Sequence, residues 1–162
     1  MNVNELKESA QKVQIELARR GFANVVIELP GSTRTAQEAA DQIGCSVAQI
    51  AKSIIFRINE TDEPLLIVTS GTNRVNEKHV SKMLNVKLSK ADADFIREKI
   101  GYVIGGVPPI GHLAPVKTLI DEDLRQYAAI WAAGGHPFAV FELTFEQLVD
   151  MTGGQVTAVD PK

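Results

Sequence analysis

Apolar positions recur at helical spacing early in the chain and in short β-branched runs through its middle. Between residues 4 and 20, Leu6, Ala10, Val13, Leu17 and Ala18 follow a helical period, and Gly21 stands after them as a stop. Val25 to Ile27 predicts a short strand ended by Pro30 and Gly31. Thr35 is placed to cap a helix through Ile43, with Gly44 closing it. Val47, Ile50 and Ala51 continue as a helical turn into the run Ser53 to Ile58. That run and Pro64 to Thr69, joined by the polar turn NETDE, predict a β-hairpin. Asn76 opens a helix through Leu84, and Ser89 with Asp92 resembles a capping box ahead of Phe95 and Ile96.

The pattern then changes at Gly101 to His112, GYVIGGVPPIGH, which holds four glycines, two adjacent prolines and a histidine. Tyr102, Val103 and Ile104 suit a strand. Gly105 and Gly106 lack a Cβ and let another backbone or a ligand come close. Pro108 and Pro109 fix φ and remove two N–H donors, so this loop is stiff and cannot join a sheet ladder. A rigid loop of bare backbone suits a binding wall. Further on, Val116 to Ile120 predicts a strand and Asp121 a short helical turn. Tyr127 to Ala132 and Phe138 to Leu143 read as strands around a GGHP turn. A helix from Thr144 to Met151 and a strand near Val156 follow. Hairpins interleaved with helices predict an α/β fold: one domain over residues 1–162, with a mixed, curled, barrel-like sheet and helices packed outside.

Composition narrows the function classes. The chain has 162 residues, enough to bury a core without metal or disulfide staples. Its one cysteine cannot form an internal disulfide, which favours a reducing compartment. The charged N-terminus is unlike a signal peptide, and no apolar run approaches the roughly 20 residues of a membrane span, so a cytoplasmic protein with no membrane partner is expected. A net charge of −3 argues against broad duplex binding but allows a grip on one phosphate or a single-stranded end.

Several familiar chemistries are missing. There is no GxxxxGK[ST], and Gly105, Gly106 and Gly111 do not form GxGxxG. His79, His112 and His136 are scattered, without HExxH or a cysteine pair, so no metal and no cofactor are expected. No GxSxG elbow occurs, and Cys45 is read as a small apolar residue rather than a nucleophile. Lys52 stands out at the start of an apolar strand. It is either a strand-end lysine snorkelling to water, the commoner case, or a point charge held for a phosphate or carboxylate. The hydroxyls of Ser32 to Thr35 either cap the next helix or line a polar site beside it.

The segments STRTAQEAADQIGCSVAQIAKSIIF, LLIVTSGTNRVNEKHVSKML, GYVIGGVPPIGH and WAAGGHPFAVFELTFEQL, in that order, resemble the YbaK/EbsC family. These are free-standing relatives of the editing domain inserted in bacterial prolyl-tRNA synthetases. The resemblance implies hydrolysis of the ester between tRNA and a wrongly attached small amino acid, of the Cys-tRNA(Pro) or Ala-tRNA(Pro) type. It gives Lys52 the role of holding the phosphate and ribose end of the acceptor strand. It makes Gly105, Gly106, Val107, Pro108, Pro109, Gly111 and His112 the segment bordering the aminoacyl group. Gly71 matches a recurring pocket edge, and Thr33 and Thr35 fall where the family places polar residues. Backbone N–H groups of Gly105 and Gly106 would stabilise the oxyanion while a water attacks, without a metal. His112 is either a base or, more commonly, a packing residue. Some members that clear cysteine carry a serine near Ala132 or Ala133 and a different sequence at Pro108, so the amino acid removed is not transferred. The implied partners are an aminoacyl-tRNA acceptor end and a prolyl-tRNA synthetase. The alternatives are a non-catalytic module that binds a tRNA end or nucleotide beside a synthetase, and a small-molecule ester or amide hydrolase.

Overall fold

Each helix starts and stops on residues that satisfy its free backbone groups. The computed structural model describes residues 6–161. Helix α1 (Glu8–Arg19) buries Ala10, Val13 and Leu17 as one stripe. Ala18 is one residue past that stripe, about 100° further round the helix, and faces solvent. Residues 4 and 5 of the expected helix lie outside the described residues. After β1 (Val26–Glu28), the Thr35 hydroxyl accepts the Glu38 N–H to cap α2 (Ala36–Ile43), and Gly44 closes it. Asn76, Asp92 and Thr144 cap α3 (Glu77–Leu84), α4 (Ala93–Lys99) and α5 (Phe145–Thr152) in the same way. Each such cap contributes about 1 kcal/mol. Ser89 takes no part in capping α4; it lies in β4 (Leu88–Lys90) and its hydroxyl donates to the Asn59 side chain.

The remaining strands are β2 (Ile50–Ile58), β3 (Glu63–Ser70), β5 (Lys117–Asp121), β6 (Ile130–Ala133), β7 (Ala139–Leu143) and β8 (Gln155–Thr157). Among the described residues, eight strands form one mixed sheet in the order β1-β7-β6-β2-β3-β5-β8, with β4 pairing β2 off this path. The expected α/β fold with a mixed sheet is therefore present. The β2–β3 and β6–β7 hairpins join the runs that the sequence paired, although β6 starts at Ile130 rather than Tyr127, because the 3-10 turn Glu122–Gln126 ends at Tyr127. Strand alternation lets β2 serve two cores. Ala51 and Ile55 join the larger one with α1, α4 and α5, while Phe56 and Ile58 pack with Val80 of α3. No helix among the described residues is long and apolar enough to cross a membrane.

Two departures from the sequence pattern shape the site. Residues Tyr102 to Ile104 form no strand. The Gly106 N–H bonds the Val103 carbonyl and closes a turn, leaving Val103 and Ile104 in solvent while Tyr102 is buried. Strand β2 also begins at Ile50 rather than Ser53, because Ile50 and Ala51 pair in parallel with Trp131 and Ala132 of β6. On that same edge β4 pairs only Phe56 to Ile58. Residues 52–55 thus have a ladder partner in β3 alone, and the sheet is split there.

Candidate functional site

The split in the sheet opens into a cavity of about 830 Å3, which Lys52, Gly71, Gly105 and Val107 all line. Lys52 pairs with Thr69 across the hairpin and is half-buried. Among the described residues its amine has no carboxylate partner. Burial, and then the nearby Arg74 guanidinium, push its pKa below the usual lysine range. Arg34, Arg74 and Lys90 add three more cations to the lining, against the one carboxylate of Glu77. None of these four cations forms a salt bridge among the described residues. A concave site with unpaired positive charge in a chain of net −3 is suited to an anion.

Ser53, on the opposite face of β2, lines the same cavity. The Ser70 N–H bonds Asp121 rather than β2, so its partner Ala51 turns its backbone groups to the split edge. By the two-residue repeat Ser53 does likewise, and its N–H and C=O meet no neighbouring strand. Its hydroxyl is buried and makes no hydrogen bond. Such a group normally carries a cost of about 1–3 kcal/mol unless a ligand or water satisfies it. Ile55, Ile96, Val107 and Ala132 make the adjoining wall apolar.

Asp121, at the end of β5, fixes the turn after β3. This buried carboxylate accepts from the Thr69 hydroxyl at 3.1 Å, the Ser70 N–H at 3.0 Å and the Asn73 side chain at 2.8 Å, all on one oxygen. Its other oxygen accepts the Asp123 N–H at 3.0 Å. Gly71 in this turn must be glycine, because a Cβ there would lie 2.3 Å from the Val47 carbonyl oxygen. The turn therefore seats against the helical turn Val47–Gln49 and carries Asn73 and Arg74 to the cavity.

The glycine–proline loop divides into a wall and a backing. Ile104, Gly105 and Val107 line the cavity; Gly106, Pro108, Pro109, Gly111 and His112 do not. A Cβ on Gly106 would sit 2.4 Å from the His136 Cα, so this glycine allows close packing against the β6–β7 turn. Its N–H is already committed to Val103, whereas those of Gly105 and Val107 make no hydrogen bond among the described residues. Pro108, Pro109 and Ile110 are buried behind the wall. His112 donates from Nε2 to the Pro108 carbonyl at 2.7 Å, and burial holds its pKa below the ordinary histidine value. Behind Gly106, His136 donates from Nε2 to Glu28 at 2.5 Å and accepts the Phe138 N–H on Nδ1.

Thr33 and Thr35 both line the cavity, but their hydroxyls are engaged in the fold. Thr33 donates to the Pro137 carbonyl at 3.0 Å, and Thr35 caps α2. The sequence reading passed over Ser53, Asp121, Arg34, Arg74 and Lys90. The available signals were a serine inside IAKSIIF, an acid ending the apolar run TLID, and the arginines inside STRTA and TSGTNR.

Comparisons with known proteins fit this geometry. Residues 31–151 match the family model described as the aminoacyl-tRNA editing domain. The chain is 29% identical over 148 residues to the uncharacterized protein YwhH of Bacillus subtilis strain 168, covering 91% of this chain and 94% of that one. It is 27% identical over 129 residues to EbsC of Enterococcus faecalis strain ATCC 700802 / V583, with 79% and 78% covered. That protein's name assigns it provisionally as a Cys-tRNA(Pro)/Cys-tRNA(Cys) deacylase. A crystal structure described provisionally as a trans-editing enzyme for prolyl tRNA synthetase superposes with a TM-score of 0.91 at 42% identity, covering 97% of this chain and 99% of that chain. The matched segment runs from the loop before α2 to the last turn of α5 and spans every wall of the cavity. The chain belongs to the YbaK/EbsC family of aminoacyl-tRNA editing domains.

Proposed function

We propose that this chain hydrolyses the ester joining a wrongly attached small amino acid, cysteine or alanine, to tRNA(Pro). The observation that carries the reading is an unpaired, half-buried Lys52 lining the same cavity as Gly105 and Val107, whose backbone N–H groups make no hydrogen bond among the described residues. Lys52 and Arg74 hold the terminal phosphate and ribose of the acceptor end. The Gly105 and Val107 N–H groups receive the negative charge that develops on the ester carbonyl oxygen. Gly106 backs this wall, since its own N–H is used within the loop. The unpaired backbone edge and hydroxyl of Ser53 meet the aminoacyl group, whose side chain rests on the apolar wall of Ile55 and Ala132.

The reaction follows from positioning. Water attacks the carbonyl carbon, the bond from that carbon to the ribose oxygen breaks, and the ribose oxygen leaves with a proton derived from the water. An aminoacyl ester is already activated, so holding it against a water replaces a dedicated nucleophile or metal. His112 lies outside the cavity and packs the loop. A prolyl-tRNA synthetase is the natural source of the mischarged substrate.

The test is a panel of tRNA(Pro) carrying cysteine, alanine, serine or threonine, assayed for free amino acid under multiple turnover. Accelerated release of cysteine or alanine supports the proposal. Tight tRNA binding with no release of any amino acid would leave a non-catalytic module instead.

A further inference from the structure

Positive charge in this chain is concentrated beside the cavity, and the cavity does not account for all of it. From Arg74 to Lys90 there are five basic residues and one acid, although the whole chain is net −3. Arg74 and Lys90 line the cavity, while Lys78, Lys82 and Lys87 line a separate surface groove. Glu77, at the first turn of α3, lines both, so the two concavities adjoin.

The groove is built on one stripe of α3. Lys78, Ser81, Lys82 and Asn85 recur at helical spacing and line it together, while Val80 on the other side of the helix is fully buried. Asn85 ends α3 in the left-handed conformation (φ 54°) and turns the chain so that Lys87 joins the same groove. Two acids, Glu60 and Glu77, line the groove beside the three lysines, and both Glu60 oxygens accept the Lys87 N–H at 3.0 Å, which anchors the backbone of this segment. The three lysines are exposed and make no salt bridge among the described residues. Lys78 and Lys82, one helical turn apart, repel each other with no acid between them.

We infer that the α3 groove is a docking track for RNA backbone, with Lys78, Lys82 and Lys87 contacting phosphates of the acceptor stem whose aminoacyl end occupies the cavity. This rests on the aminoacyl-tRNA reading above. Lysine is a flexible point charge suited to phosphate, and Ser81 and Asn85 supply neutral donors for phosphate or ribose oxygens. A lysine-lined groove joined to the cation-lined cavity favours a polynucleotide that continues out of the cavity.

The test is the triple variant Lys78→Gln, Lys82→Gln, Lys87→Gln, in which glutamine keeps helix propensity. Its KM should be compared on intact aminoacyl-tRNA and on the same amino acid esterified to adenosine. KM for the tRNA is expected to rise about tenfold or more relative to that for the adenosine ester, with the melting temperature unchanged. In direct binding of uncharged tRNA, the log–log salt slope should shrink by about 2 to 3, close to 0.9 per lost phosphate contact. The triple arginine variant should restore both. An unchanged slope, or an equal loss on both substrates, would overturn the track. If the wild type cleaves neither ester, the deacylase reading fails separately, and the binding slope still decides the groove.

Discussion

Lys52 and Ser53 are consecutive residues on opposite faces of β2 that both line one cavity, and each carries an unsatisfied demand. The lysine has no counter-ion and the hydroxyl has no hydrogen-bond partner among the described residues. On the proposed reading, both costs would be relieved by a ligand that brings an anion and a polar group together. Ser53→Ala should therefore leave the urea midpoint unchanged or slightly raised, since it removes a buried unpaired hydroxyl. Aminoacyl ester turnover should nevertheless fall, and Ser53→Thr should retain more of it. Loss of stability in Ser53→Ala, with turnover intact, would contradict this assignment. His112 makes a different prediction. Its folded pKa is held below 6.5 by burial, with Arg20 adding to the effect. The unfolded chain therefore takes up a proton that the folded chain resists as the pH falls below that value. The associated stability is complete above about pH 6.5 and is lost as the pH drops toward the folded pKa. Melting temperatures between about pH 7.5 and about pH 5.5 should fall more steeply for the wild type than for His112→Gln. Equal slopes would show that His112 titrates normally.

At the scale of elements, the site depends on a sheet edge left incomplete and on two turns held against it. Asp121 holds the first turn by accepting three donors on one oxygen. Asp121→Asn presents an amide donor to some of those donors. It is expected to cost about 1–3 kcal/mol in urea denaturation and to raise KM as the Gly71–Arg74 turn shifts. An unchanged midpoint would show that the turn is held by other contacts. The capped helices, both hairpins and the stiff glycine–proline loop were legible in the sequence, because each rests on local chemistry such as Thr35, Gly44, Asn76 and Pro109. Which loop residues face the cavity was not legible. Gly105 and Gly106 look alike in sequence, yet one lines the cavity and the other is wedged against His136. The expected strand at Tyr102 to Ile104 failed for a similar reason, since a turn bond from Gly106 to Val103 outweighs β-branched propensity. Asp121 looked like the acid that starts a helical turn, which it also is; its inward contacts come from residues about fifty positions away.

For the whole molecule, the cavity joins segments around Thr33, Lys52, Gly71, Val107 and Ala132, which only the sheet order brings together. The net charge of −3 hid how far the basic residues cluster between Arg74 and Lys90. That clustering sets a cation-lined cavity and a lysine groove side by side on an otherwise acidic chain, an arrangement suited to one end of an RNA. The split β2 edge adds a strip of backbone with no neighbouring strand to the cavity wall, which on the proposed reading lies beside the ester. The most direct measurement compares wild type and Lys52→Ala for multiple-turnover release of cysteine and alanine from tRNA(Pro). The wild type should release at least one well above spontaneous hydrolysis. Lys52→Ala should lose about 100-fold or more with its melting temperature preserved. Near-normal release by Lys52→Ala, or a wild-type rate no faster than buffer, would contradict a Lys52-centred deacylase.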